Sequence, residues 1–141
     1  MSTLELHVDV GVPIDTAWET LHRVEDYPRF VEGVRDAHTD AGGRAHLNVE
    51  AGGRAREVEA EVSDRGEHVM EWLTTGAPEL TGSFSVRPVD ENTTRIQARV
   101  EYDPDTVREN FGGPKGFAQT NAIERLVRSD LEHFKEYLER A

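Results

Sequence analysis

Cysteine is absent from this 141-residue chain. That excludes disulfides, thiolate nucleophiles and cysteine metal sites. Lysine is nearly absent too: Lys115 and Lys135 are the only ones, and every other cation is arginine. The 16 basic residues stand against 28 acidic ones, for a net charge of -12. A basic footprint is the first requirement of a nucleic-acid surface, so no nucleic-acid partner is expected. Anionic membranes would repel such a chain, and no apolar run reaches the ~20 residues of a membrane span, so no stable membrane association is expected. The first residues, MSTLELHV, combine neither a charged start nor an apolar block and do not read as a signal peptide. A cytoplasmic protein is the simplest expectation, as monomer or homodimer.

The signatures of common catalytic sites are missing as well. There is no G-x-S-x-G elbow, phosphate-binding loop or H-E-x-x-H helix. The six histidines (His7, His22, His38, His46, His68 and His133) are scattered, with no pair at helical ligand spacing, so neither a metal nor another cofactor is expected. Glycine pairs at 42–43, 52–53 and 112–113 read as turns, because none follows a strand and opens a helix with dinucleotide-binding spacing.

What is present is periodicity. Leu4, Leu6, Val8 and Val10 alternate with Glu5, His7 and Asp9, which predicts a strand over residues 3–10. Pro13 and Asp15 then mark a helix start, with Asp15 as the expected cap and Trp18, Leu21 and Val24 at spacing three on one face. Pro28 is expected to force Asp26 and Tyr27 out of helical geometry, dividing this helix from a second around Phe30 that Gly33 ends. Trp18 is read as a packing residue.

Six strand-like segments follow, at roughly 10–12-residue intervals. They are Val34 to Thr39, the set Ala45, Leu47, Val49 and Ala51, the set Arg56, Val58, Ala60 and Val62, the set Met70, Trp72 and Thr74, the set Leu80, Gly82, Phe84 and Val86 bounded by Pro88, and the set Ile96, Ala98, Val100 and Tyr102. Period-two patterning between turns predicts a curved antiparallel meander, apolar on one side only. After a glycine-rich loop the period changes: Ile123, Val127, Leu131, Phe134 and Leu138 recur every three or four residues, a long amphipathic helix of about six turns. Its stripe needs a surface, and the apolar side of the meander supplies one. The class is α+β, one domain over residues 1–141.

Few polar groups fall on the inward phase. Arg56 is in phase with Val58, Ala60 and Val62. It either hydrogen-bonds a ligand carbonyl, phenolate or carboxylate, or snorkels to water from the strand's edge. Trp72 is core or cavity wall, with Thr74 in phase beside it, and Tyr102 offers a hydroxyl near a cavity mouth. Thr120 and Asn121 fall early in the long helix, where Asn121 alternatively faces solvent.

The stretch VPIDTAWETLHRVEDYPRFVEGV, with Met70-Glu71-Trp72, Gly82-Ser83-Phe84-Ser85-Val86-Arg87-Pro88, Thr94-Arg95-Ile96 and the closing Asp130-Leu131-Glu132-His133-Phe134-Lys135, resembles the START/Bet v 1-like (SRPBCC) superfamily in its polyketide cyclase/dehydrase-like branch. The resemblance implies a helix-grip fold: a curved seven-stranded sheet wrapped around the C-terminal helix, two short helices between strands 1 and 2, and a cavity between sheet and helix. It implies a small hydrophobic or aromatic ligand, with Arg56, Met70, Trp72, Thr74, Phe84, Tyr102, Thr120 and Asn121 as candidate binding residues. The alternative it implies is a polyketide aromatase/cyclase-dehydratase acting on a poly-β-ketone or related aromatic precursor, with Arg56, Arg65 and Tyr102 as catalytic candidates. Arg65 is also readable as a turn residue beside Gly66.

Overall fold

The computed structural model describes residues 2–31, 33–51, 54–75, 80–103, 105 and 117–140, without the side chains of 51, 54, 117–123 and 126. Strand β1 (Ser2–Val10) leads into helix α1 (Ile14–His22) and a 3-10 helix, η1 (Val24–Arg29). Strands β2 (Val34–Thr39), β3 (Arg44–Ala51), β4 (Arg54–Asp64), β5 (Val69–Thr74), β6 (Leu80–Asp90) and β7 (Thr93–Tyr102) follow, and helix α2 (Phe117–Arg140) closes the chain. All seven strands form one antiparallel sheet in the order β1-β7-β6-β5-β4-β3-β2. This is the helix-grip arrangement, and the predicted alternation appears directly as burial: Thr94, Ile96, Ala98 and Tyr102 of β7 are buried while Arg95, Gln97 and Arg99 are exposed.

The main core lies at one end of the sheet. Val10, Met70, Val86, Ile96 and Ala98 meet Leu131, Phe134 and Leu138 of α2 and Ala17, Leu21 and Phe30 of the helical segment. Burying each large apolar side chain of this set is worth about 1.5–3 kcal/mol. Phe30 and Phe134 pack with ring centroids 4.7 Å apart, and Tyr137 flanks Phe30 at 5.4 Å. Polar contacts fix the same end of α2. The Lys135 ammonium donates to the Asp9 carbonyl at 3.1 Å, and the Gly11 amide donates to Glu139 Oε2 at 2.7 Å. The bond from Lys135, reinforced by that from Gly11, holds the Glu139 carboxyl below the usual carboxylate range. Thr94, fully buried, donates from Oγ1 to the Val12 carbonyl at 2.8 Å and ties the entry to α1 onto β7.

Three local expectations are corrected. Asp15 does not cap α1: the helix starts at Ile14 with Pro13 at the cap position and no side-chain cap bond, and Asp15 sits in the first turn. There it complements the helix dipole instead. Pro28 does not divide the helices. It lies inside η1, and the break falls at Arg23, so Val24 opens η1 rather than continuing α1. A six-residue 3-10 helix tolerates proline because each of its few i→i+3 bonds ends within a turn of the helix boundary. Pro88 does not bound β6, which continues to Asp90. Pairing with β5 ends at Ser85 and the β7 register shifts between Pro88 and Asp90. The missing amide therefore falls at an open edge beside a bulge, where proline is allowed.

Gly33 requires its glycine. Its φ is +88° and an added Cβ would stand 2.8 Å from the Glu50 carbonyl oxygen. The turn from β4 to β5 is strained in a similar way, since Glu67 and His68 both adopt positive φ. Two partners hold His68 there: its carbonyl accepts from the Val86 amide at 2.9 Å, and its ring meets the Trp18 edge at 5.2 Å.

Candidate functional site

Beyond the main core the inner face of the sheet is apolar but less covered. Leu4, Val100 and Trp72 lie along one cross-strand row with Gly82 between Val100 and Trp72. Leu47 and Val58 face each other between β3 and β4, as do Val49 and Arg56. Leu4, Leu47, Val49, Val58, Trp72, Leu80 and Val100 are all only partly buried, and none belongs to the core cluster or packs against it. A contiguous apolar surface outside the core marks a candidate interaction or ligand site.

Trp72 dominates this surface. Strand alternation turns its side chain inward, and its cross-strand partner on β6 is Gly82. A Cβ on Gly82 would stand 2.5 Å from Trp72 Cζ2 and 2.7 Å from Cε2, and 2.5 Å from the Arg99 carbonyl oxygen. The indole therefore occupies the volume that any larger residue at 82 would need. Phe84 flanks it with ring centroids 6.5 Å apart. The indole nitrogen is buried and has no hydrogen-bond partner among the described residues. Buried tryptophan N–H groups normally find one. Gly82 was legible in the sequence as an inward-phase residue, and a glycine at such a position signals a close approach; what approaches it required the register.

The other candidate residues separate into groups. Arg56 is partly buried on the inner phase of β4, opposite Val49. Tyr102 is 1% exposed, with Leu80 and Ser2 as its cross-strand partners. Met70 belongs to the main core and Phe84 packs against it, so Phe84 bridges the core and the Trp72 surface. The Thr74 hydroxyl accepts from the Leu80 amide at 2.9 Å and donates to the Leu80 carbonyl at 3.3 Å, clamping the end of the β5–β6 pair. Arg65 is on the outer surface, where its guanidinium meets Glu71 at 2.9 Å. Thr120 and Asn121 lie in α2 as expected, but their side chains fall outside the described residues, as do the turns at 52–53 and 76–79 and the loop around 112–116.

The outer face carries charge pairs. Arg95 is bidentate to Asp9 at 2.8 and 3.1 Å, and Arg99 reaches Glu5 at 3.1 Å and Glu101 at 2.9 Å. His46 has both ring nitrogens on carboxylates, Asp40 at 2.8 Å and Glu57 at 2.9 Å, and its ring stacks on His38. These bonds, that from Asp40 first, raise the His46 pKa above its ordinary value. No group of His, Cys, Asp and Glu among the described residues is arranged to hold a metal, and no helix there is long and apolar enough to cross a membrane.

A curved sheet gripping a C-terminal helix, with an apolar inner surface beyond the core, defines a START/SRPBCC-type protein. Solved structures agree. The aromatase/cyclase Zhui from Streptomyces sp. R1128 superposes with a TM-score of 0.79 at 18% identity, over 99% of this chain and 94% of that one. A START superfamily protein from Mycobacterium smegmatis gives 0.71 at 17% identity, over 97% and 94%. The chain belongs to the polyketide cyclase / dehydrase and lipid transport family, whose profile matches residues 1–139. It is also 28% identical, over 99% of its length and 91% of the relative's, to an uncharacterized 17.2 kDa protein of the melC2-rnhH intergenic region of Streptomyces lincolnensis.

Proposed function

We propose that this protein binds, and carries, a small hydrophobic or aromatic molecule between the inner face of the sheet and α2. The observation that supports the reading is the row of partly buried apolar residues, Leu4, Val100, Trp72 and their neighbours on β3 and β4, that do not join the core. Covering them with an apolar ligand is worth about 25 cal/mol per Å² of surface removed from water. Titration with planar aromatic and lipid-like ligands, followed by thermal shift and native mass spectrometry, tests it. Ligands of this class should raise the melting temperature and remain bound in 1:1 stoichiometry; failure of every apolar ligand to stabilise the fold removes the reading.

A second reading, cyclisation and dehydration of a poly-β-ketone or related aromatic precursor, draws support from the family and from two inward polar residues. Arg56 on β4 would stabilise a developing enolate, and the Tyr102 phenol would exchange a proton with it, in a site sheltered from water. Substituting Arg56→Ala or Tyr102→Phe should then abolish turnover while the protein stays folded. Unchanged turnover in both variants excludes this assignment of roles.

A further inference from the structure

We propose that the outer face of the sheet carries a second binding site, a groove across β6, β7 and β1 in which Arg87 and Arg95 take the phosphate-type oxyanion of a small molecule. The groove is separate from the inner surface, so neither site depends on the other.

Sheet register builds the groove from two cross-strand rows. Arg87, Arg95 and Asp9 are direct partners along one row, and Ser85, Gln97 and His7 along the next. Strand alternation puts both rows on the outer face. Pairing with β5 stops at Ser85 and the β7 register shifts between Pro88 and Asp90, so β6 bends at an uncovered edge. A concavity of about 430 Å³ lies there, with Arg87, Arg95, His7, Ser85 and Gln97 in its wall.

Charge decides what it holds. Like charges directly opposite on neighbouring strands destabilise a sheet, and Arg87 faces Arg95 without a carboxylate of its own among the described residues. Arg44, Arg65, Arg95 and Arg99 on the same face each have one or two. Asp9 offsets Arg95 alone. It accepts from Nε and Nη2 and leaves Nη1 without a partner among the described residues. That grip also fixes the Arg95 guanidinium, so less side-chain freedom is lost when a ligand binds. Ser85, Gln97 and His7 make no side-chain hydrogen bond among the described residues, and each can donate one.

An oxyanion bridging the two guanidiniums meets this set of donors. It accepts paired N–H bonds from a planar guanidinium and replaces repulsion with attraction. Phosphate suits the groove better than carboxylate. Its second charge matters where solvent screens each one, and its three oxygens can serve both arginines and the neutral row. Val89, 50% exposed in the same wall, offers an apolar contact to an organic body.

Phenyl phosphate, inorganic phosphate and benzoate are the probes, titrated at constant ionic strength and about pH 7.5, where a phosphate ester is a dianion. Amide and guanidinium NMR shifts should saturate with phenyl phosphate and concentrate at residues 7, 85–89 and 95–97. Arg87→Gln should weaken that binding about fivefold, with the thermal melt confirming the fold. Arg44→Gln, which removes the same charge from β3, three strands away from β6, should change it by less than about twofold. Benzoate should bind at least about threefold more weakly. Tighter binding of phenyl phosphate than of inorganic phosphate supports the site as one for a phosphate ester, and equal or weaker binding supports it as one for free phosphate. Four results overturn the inference: no saturable shift, shifts centred elsewhere, an equal loss in Arg44→Gln, or benzoate binding as tightly as phenyl phosphate.

Discussion

The indole of Trp72 lies in the space that a side chain on Gly82 would fill, 2.5 Å from the position of an ideal Cβ there. The two residues are directly paired between β5 and β6, so the sheet register itself builds the seat. Strand glycine usually weakens a sheet by losing packing and gaining chain entropy, and here that loss is offset by an aromatic ring.

Gly82→Ala should therefore destabilise the protein by about 1–3 kcal/mol, the usual range for overpacking. Trp72→Ala in the same chain should recover only part of the loss, because the added Cβ also stands 2.5 Å from the Arg99 carbonyl oxygen. Urea denaturation of both variants measures the effect; full recovery would show that the Arg99 contact is easily relieved.

Thr94→Val keeps the shape of a fully buried side chain and removes its hydrogen bond to the Val12 carbonyl. Leaving this part-buried carbonyl without its hydrogen bond costs about 1 kcal/mol. The same denaturation measurement should show that loss, with faster amide exchange in the first turn of α1 as its local signature.

Phe134→Ala should cost about 3–5 kcal/mol, as for other large aromatic truncations in cores. Phe134 is 3% exposed and packs on Phe30, so the loss should also loosen α2 from the end of η1, where Phe30 follows Arg29. Calorimetry gives the magnitude, and a change below 1 kcal/mol would contradict the packing described.

His46 sets a pH dependence. Its folded pKa is raised, chiefly by the bonds to Asp40 and Glu57. The contribution of this cluster is thus complete below the ordinary histidine pKa of about 6.5 and is lost as pH rises through the higher folded value. The melting temperature should fall across that window, and His46→Gln should flatten the fall. Titration of the His46 ring by NMR should place its midpoint above 6.5; a midpoint at or below it would exclude the effect.

Much of this was legible along the chain because alternation is a local property. Leu4 to Val10 and Ile96 to Tyr102 reveal which face is apolar without any knowledge of their neighbours, and Val127, Leu131, Phe134 and Leu138 do the same for α2. The proline readings failed where the outcome depended on neighbours. Pro88 is permitted in β6 because β5 stops pairing at Ser85, and no local pattern states where a partner strand ends. Pro28 entered η1 because the helix that formed there is a 3-10 helix rather than an α-helix.

The sequence by itself determined the architecture: a series of strands, most of them alternating, one amphipathic helix, and an inner face almost free of charge. Periods of two and 3.6 residues follow from backbone geometry and need no partner. The tertiary structure decided where the candidate residues lie. It sent Arg65 to Glu71 on the outer surface, committed Thr74 to the Leu80 backbone, and set Trp72 over Gly82 with its N–H unpaired among the described residues. Hydrogen-bond satisfaction is a property of neighbours in space, and cross-strand register is what makes them neighbours.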